Sequence, residues 1–93
     1  MKVIIREAAC NDLEKIVGWI AKDNPASARS VAERILDTIE STIPFCPRIG
    51  RVGKVEGTRE WVLRGLPYII VYQIDAELDA VSILAIFHGA QLR

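Results

Sequence analysis

The chain has 93 residues, 51% of them hydrophobic and only 6% aromatic, and its 12 basic residues balance its 12 acidic ones. That length holds one domain, residues 1–93, and a zero net charge argues against a general nucleic-acid-coating protein, which carries a basic excess. The longest apolar run falls far short of the ~20 residues of a membrane helix, and Met1-Lys2 leads straight into Val3-Ile4-Ile5 without a secretory leader, so a cytoplasmic protein is expected.

Val3 to Ile5 reads as a short strand. Asn11 or Asp12 is suited to cap a first helix, in which Leu13, Ile16, Val17 and Ile20 follow the i, i+3, i+4, i+7 stripe. This helix should stop near Asp23, because Asn24 precedes Pro25 and a residue before proline avoids the helical region. Asn24 then caps a second helix with Pro25 in the favoured first position. Its stripe runs Ala28, Val31, Ala32, Ile35, Ile39 and Ile43, and Pro44 and Pro47 end it. So short a connection folds the two helices back on each other as a hairpin.

The stretch from Pro47 to Gly57 has three glycines, three basic residues and no periodicity, and reads as a loop or a ragged edge strand. From Thr58 to Arg64 the pattern alternates, with Arg59, Trp61 and Leu63 on one face and Glu60, Val62 and Arg64 on the other. Gly65-Leu66-Pro67 turns the chain into Tyr68–Ile74, whose nearly unbroken apolar character marks a central strand buried on both faces. A second turn leads to a strand over Ala80–His88, in which simple alternation puts His88 on one face with Ser82, Leu84 and Ile86. Short connections make these strands antiparallel neighbours. The expected fold is α+β: an N-terminal strand, an antiparallel helical hairpin, then a three-stranded antiparallel meander (β-α-α-β-β-β), with the helices on one face of the sheet.

Charge is unevenly spread. From Glu7 to Ile43 seven acids face four bases, a balance of −3, whereas from Pro44 to Gly65 Arg48, Arg51, Lys54, Arg59 and Arg64 face only Glu56 and Glu60, a balance of +3. Arg51 and Lys54 sit in the Gly-rich stretch, where positive charge and flexibility coincide, and reversing them is expected to leave folding nearly untouched. Arg59 and Arg64 are expected within the sheet with fixed partners. Arg59 and Glu60, adjacent in a strand, point to opposite faces and are no catalytic pair. Trp61 reads as core or groove lining. Trp19 falls off the apolar stripe of its helix, which fits either helix packing or a partner contact. Cys10 and Cys46 show no metal-ligand spacing and read as buried or semi-buried reduced thiols, and no metal or cofactor is expected.

The order strand, helical hairpin, "P-x-x-G-R" (Pro47, Gly50, Arg51), "G-T-R-E-W-V-L" (Gly57 to Leu63), "P-Y-I-I-V-Y" (Pro67 to Tyr72) and "I-L-A-I-F-H-G-A" (Ile83 to Ala90) resembles the RelE/ParE superfamily of type II toxin–antitoxin toxins. The likeness covers essentially the whole chain and includes the inter-helix "NPASAR" of Asn24 to Arg29. It implies one of two activities. RelE-like members cut mRNA in the ribosomal A site, and ParE-like members are described as poisons of DNA gyrase.

The ribonuclease branch typically carries an arginine where this chain has Ile69, and tends to finish with a tyrosine where this chain reads His88-Gly89-Ala90-Gln91-Leu92-Arg93. The resemblance therefore implies the ParE-like branch: a gyrase poison without catalysis of its own, neutralised by a cognate antitoxin whose C-terminal segment folds on it. No membrane contact and no sequence-specific DNA binding by the toxin alone are expected. Candidate contacts to target or antitoxin are Arg48, Arg51, Lys54, Arg59, Trp61, Arg64, Trp19, His88 and Arg93. Under the nuclease alternative, the catalytic candidates are His88, Arg64 and Arg59. A further alternative is a non-toxic binding module of the same fold.

Overall fold

In the computed structural model, which describes residues 1–90, strand β1 (Lys2–Ile5) leads into helix α1 (Glu7–Ala21) and, three residues on, helix α2 (Pro25–Asp37). Strands β2 (Arg51–Val52), β3 (Thr58–Val62), β4 (Tyr68–Asp75) and β5 (Ala80–His88) follow. They form one sheet in the order β1-β5-β4-β3-β2. β2 to β5 are joined by antiparallel pairing, and β1 lies parallel to β5, with Val3 opposite Val81 and Ile5 opposite Ile83. The α+β fold with its meander is as expected. The parallel partner of β1 is added to it, and of the two readings of Pro47–Gly57 the ragged edge strand is realised, as the two-residue β2.

Asn24 caps α2 as its position before Pro25 implies, its side-chain oxygen accepting the Ser27 N–H at 3.0 Å. α1 differs from the sequence reading. It starts at Glu7, behind Arg6 in an extended conformation, not at Asn11 or Asp12. Ala8 and Ala9 are the best of helix formers, and Ala9 is fully buried, so the helix begins as soon as the chain leaves β1. Asp12 acquires another task. β1 ends at Ile5, and past Ile83, whose carbonyl accepts the Arg6 N–H, the outer edge of β5 has no strand beside it among the described residues. There the Asp12 carboxylate accepts the Ile86 N–H at 2.9 Å.

α2 continues into a π-helical turn, Thr38–Thr42. Ile35, Ile39 and Ile43 recur every fourth residue, a spacing that drifts around an α-helix of 3.6 residues per turn and is corrected by the wider π turn. All three are buried to 1% exposure or less, each worth roughly 1.5–3 kcal/mol against leaving it in water.

They pack with Val31 and Ala9 against Tyr68, Ile70 and Tyr72 of β4 and Val81, Ile83 and Ile86 of β5, the helix-covered face of the sheet. Ile69 and Val71 on the opposite face are also buried. β4 is thus central and enclosed on both sides from Tyr68 to Tyr72, as this apolar run requires. One irregularity overrides simple alternation. Val71 pairs with Ala85 but Tyr72 with Ile83, so Leu84 is bulged. The bulge puts Ser82 opposite Gln73, on the other face from Ile86 and His88, where alternation had put all three together.

Candidate functional site

A phenol buried among aliphatic side chains needs a partner for its hydroxyl. Tyr72, fully buried in β4, finds two on one segment: its hydroxyl donates to the Pro47 carbonyl at 2.7 Å and accepts the Gly50 N–H at 2.9 Å. Arg59, opposite Tyr72 in register, donates from Nη1 to the carbonyls of Gly50 at 2.8 Å and Arg48 at 3.4 Å. Two neighbouring side chains of the sheet therefore pin the segment Pro47–Gly50 from both ends. Burial pushes the Tyr72 phenol above its ordinary 10.0, against the weaker opposing pulls of the Gly50 N–H and the Arg59 charge. Position 50 admits only glycine at this closeness, because a Cβ would lie 2.6 Å from the Tyr72 hydroxyl and 2.9 Å from the Glu60 carbonyl.

Arg51 is committed as well. Its guanidinium meets Glu60 at 3.0 Å, and the Glu60 side chain is only 5% exposed against 59% for that of Arg51. A carboxylate so buried needs a cation or donors. Arg51 is therefore the structural counter-ion of Glu60, and the expectation that reversing its charge spares the fold does not hold. Lys54 is exposed, with its backbone N–H 3.5 Å from the second Glu60 oxygen. Arg59, whose sequence position suggested bracing the sheet or binding the helices' acidic residues, braces loop carbonyls. Arg64 lies beyond the end of β3 at Val62, exposed before the positive-φ turn at Gly65, and among the described residues its guanidinium has no hydrogen-bonded partner. The fixed partner expected for it is absent because the strand stops short of it. Arg48 is exposed, and with Val52, Thr58, Arg59 and Ile74 it lines a hollow of about 370 Å³. Arg93 lies outside the described residues.

A second cluster sits at the other end of the sheet. Trp19 is 72% exposed, with the Lys22 ammonium 5.4 Å from its ring centroid. With Lys15, Ile16, Tyr68 and His88 it lines a groove of about 350 Å³. His88 is exposed; its Nδ1 accepts the Ala90 N–H at 3.0 Å and its ring meets that of Tyr68 edge-on at 5.6 Å. Trp61 is half-buried against the core, whereas Cys10 and Cys46, expected to be buried or semi-buried, are both exposed free thiols.

The structure thus gathers Arg48, Arg51, Lys54 and Arg59 along one edge and joins Trp19 to His88 at the opposite end. It does not bring Arg59 to His88, whereas Arg64, one residue past Leu63, whose N–H donates to the Tyr68 carbonyl, lies at the His88 end of the sheet. Arg59 pairs with Tyr72 and His88 with Tyr68 on either side of β4, a separation of roughly 16 Å by strand geometry. Sequence reasoning missed Tyr72 as the anchor of the loop and Tyr68 as a groove wall. The signal for Tyr72 was available, since it is a hydroxyl in an otherwise aliphatic central run.

A family model described as "ParE toxin of type II toxin-antitoxin system, parDE" matches residues 3–93. A Sinorhizobium fredii protein named "Putative toxin Y4kP" is 37% identical over 83 residues, covering 89% of this chain and 82% of its own length. Among solved structures, the chromosomal ParDE toxin–antitoxin system of P. aeruginosa superimposes with a TM-score of 0.78 at 19% identity over 95% of both chains. The RelBE2 toxin–antitoxin complex of Mycobacterium tuberculosis does so with a TM-score of 0.66 at 27% identity over 94% of this chain and 95% of the other.

Proposed function

The chain belongs to the ParE toxin family of type II toxin–antitoxin systems, and from that premise we propose that it arrests growth by binding and poisoning DNA gyrase, and that a cognate antitoxin neutralises it. The observation that carries this reading is the dispersal of the groups an RNA-cleaving site would need. Cleavage through the 2′-hydroxyl demands a base, an acid and cationic stabilisation gathered on one phosphate. Here Arg59 is tied to loop carbonyls, Tyr72 spends its hydroxyl on Pro47 and Gly50, and His88 stands with Arg64 at the far end of the sheet from both. Such an arrangement supports action by contact. The solved relatives that are toxin–antitoxin assemblies support an antitoxin partner, and the exposed Trp19 groove offers an apolar seat for a segment that folds on binding.

The test is expression without the antitoxin. The DNA-damage response and filamentation should follow while bulk mRNA stays intact, and His88→Ala should leave growth arrest unchanged. Cleavage of transcripts on ribosomes within minutes of induction, lost in His88→Ala, would establish the ribonuclease reading instead.

A further inference from the structure

Two facts about the clamped loop go beyond holding it in place. The first is electrostatic. Arg59 spends Nη1 on two backbone carbonyls, which fix the guanidinium without neutralising it, and among the described residues neither Arg59 nor Arg48 meets a carboxylate. A fixed cation lacking a counter-ion is an arrangement that folding alone does not require, since a bound carboxylate would gain two parallel charge-assisted hydrogen bonds there. Nε and Nη2 of Arg59 remain for such a partner.

The second is apolar. Both cations border the hollow that Val52 and Ile74 line, and in the chain segment that carries Arg48 and Val52, Phe45 is 77% exposed, Ile49 42%, Val52 79% and Val55 60%. Four large apolar side chains exposed within eleven consecutive residues form a concentration of the kind that marks an interaction surface. Because Tyr72 and Arg59 pin the backbone of Pro47–Gly50, this part of the surface is shaped in advance, and less ordering entropy is lost on binding.

We propose that the hollow between Arg48, Arg59, Val52 and Ile74 is the target-contact site of this toxin, and that it takes an acidic side chain of the target protein together with an adjacent aliphatic one. The proposal rests on the reading that the toxin acts by protein contact. Carboxylate chemistry fits the two guanidinium groups, and the aliphatic lining distinguishes the site from a phosphate-binding one. Grooves for single-stranded nucleic acid instead interleave cations with aromatic platforms for base stacking. Tyr72 and Arg59 act on this site as positioning residues, Arg59 also contributing its remaining donors.

The experiment compares growth arrest on expression without antitoxin for the wild type, Val52→Glu, Arg48→Glu and Arg29→Glu. Val52→Glu sets a carboxylate beside Arg59 and occupies the site from within the chain, and Arg48→Glu reverses its rim. Both positions are exposed and neither side chain carries a structural bond among the described residues. Each should raise the expression level needed for arrest at least ~10-fold, with an unchanged thermal midpoint and undiminished antitoxin binding. Arg29→Glu, the same charge change as Arg48→Glu and a larger one than Val52→Glu, on an exposed position of α2, should arrest growth like the wild type. A toxic wild type matched by Val52→Glu and Arg48→Glu overturns this proposal alone, whereas a wild type that arrests nothing overturns it together with the proposed function. Binding of a single-stranded RNA oligonucleotide by the wild type, abolished in Val52→Glu, assigns the hollow to nucleic acid and also overturns it.

Discussion

The Tyr72 hydroxyl and the Gly50 N–H meet at 2.9 Å across a sequence separation of 22 residues, joining the central strand to the loop that covers it. Tyr72→Phe keeps the ring that fills the core but strands the Gly50 N–H and the Pro47 carbonyl, at a cost of about 1–3 kcal/mol. Urea denaturation should show the lowered midpoint. Amide exchange at Gly50 should speed up more than exchange within β4, because the loop opens locally before the sheet does.

The same hydroxyl gives an alkaline signature. Burial raises the folded pKa of Tyr72 above its ordinary 10.0, so at neutral pH the phenol is protonated in both states and contributes no pH dependence. As pH climbs past 10.0 the unfolded chain loses this proton while the folded one holds it, and stability falls until the folded value is passed. The difference in stability between wild type and Tyr72→Phe, measured at pH 8 and at about pH 11, should therefore shrink at the higher value. A constant difference would mean that the phenol ionises as readily in the fold as out of it.

Two glycine substitutions should act in opposite directions. Gly50→Ala drives a Cβ into the Tyr72 hydroxyl and the Glu60 carbonyl, an overpacking worth about 1–3 kcal/mol of lost stability. Gly18 lies within α1 with nothing within 4 Å of its would-be Cβ, and Gly18→Ala should gain roughly 0.5–1 kcal/mol from helix propensity. Thermal midpoints of the two variants should move apart around that of the wild type.

Arg51→Ala leaves the buried Glu60 carboxylate without its cation. Since the Arg51 side chain is itself more than half exposed, the loss should be about 1–3 kcal/mol, below the figure for a fully buried pair. Glu60→Gln in the same chain should recover most of it, and Lys54→Glu should stay within ~0.5 kcal/mol of wild type. A double-mutant cycle on positions 51 and 60 reads the coupling directly.

Trp19→Ala should separate partner binding from folding. The side chain is 72% exposed, so stability should change by no more than ~0.5 kcal/mol, while antitoxin affinity should drop at least ~10-fold if the indole anchors the bound segment. Calorimetric titration with the antitoxin, set beside a thermal melt, checks both halves.

Much of the architecture was legible because it rests on local rules. Asn24-Pro25 places the turn between the helices, the run from Tyr68 to Ile74 marks the buried centre, and Ala80–His88 is bounded by turn residues on the strand's near side. What escaped depends on contacts distant in sequence. Asp12 resembled a helix cap, yet its carboxylate is used 74 residues away on Ile86. Arg51 resembled a free loop cation because nothing local shows that Glu60 is buried. The bulge at Leu84 is invisible to an alternating pattern, and it alone moves Ser82 off the face of His88. In the candidate site the basic residues could be found by composition. Their division into structural and available cations needed the partners of each guanidinium.

The parallel pairing of β1 with β5 sets the order in which the molecule can be completed during synthesis. Residues 2–5 leave the ribosome first, but their hydrogen-bonding partners are residues 80–83. Until those emerge, the opening strand has no edge to join, and α1 lacks the surface against which Ala9 is buried. Pairing across such a separation carries a large loop-closure cost and comes late. The helical hairpin can form early from its own contacts, but the sheet is closed only when nearly all of the 93 residues are available. A nascent chain truncated before residue 80 should remain open to protease at its N-terminal strand. A partner already present in the cell would thus meet the toxin while its hydrophobic interior is still accessible.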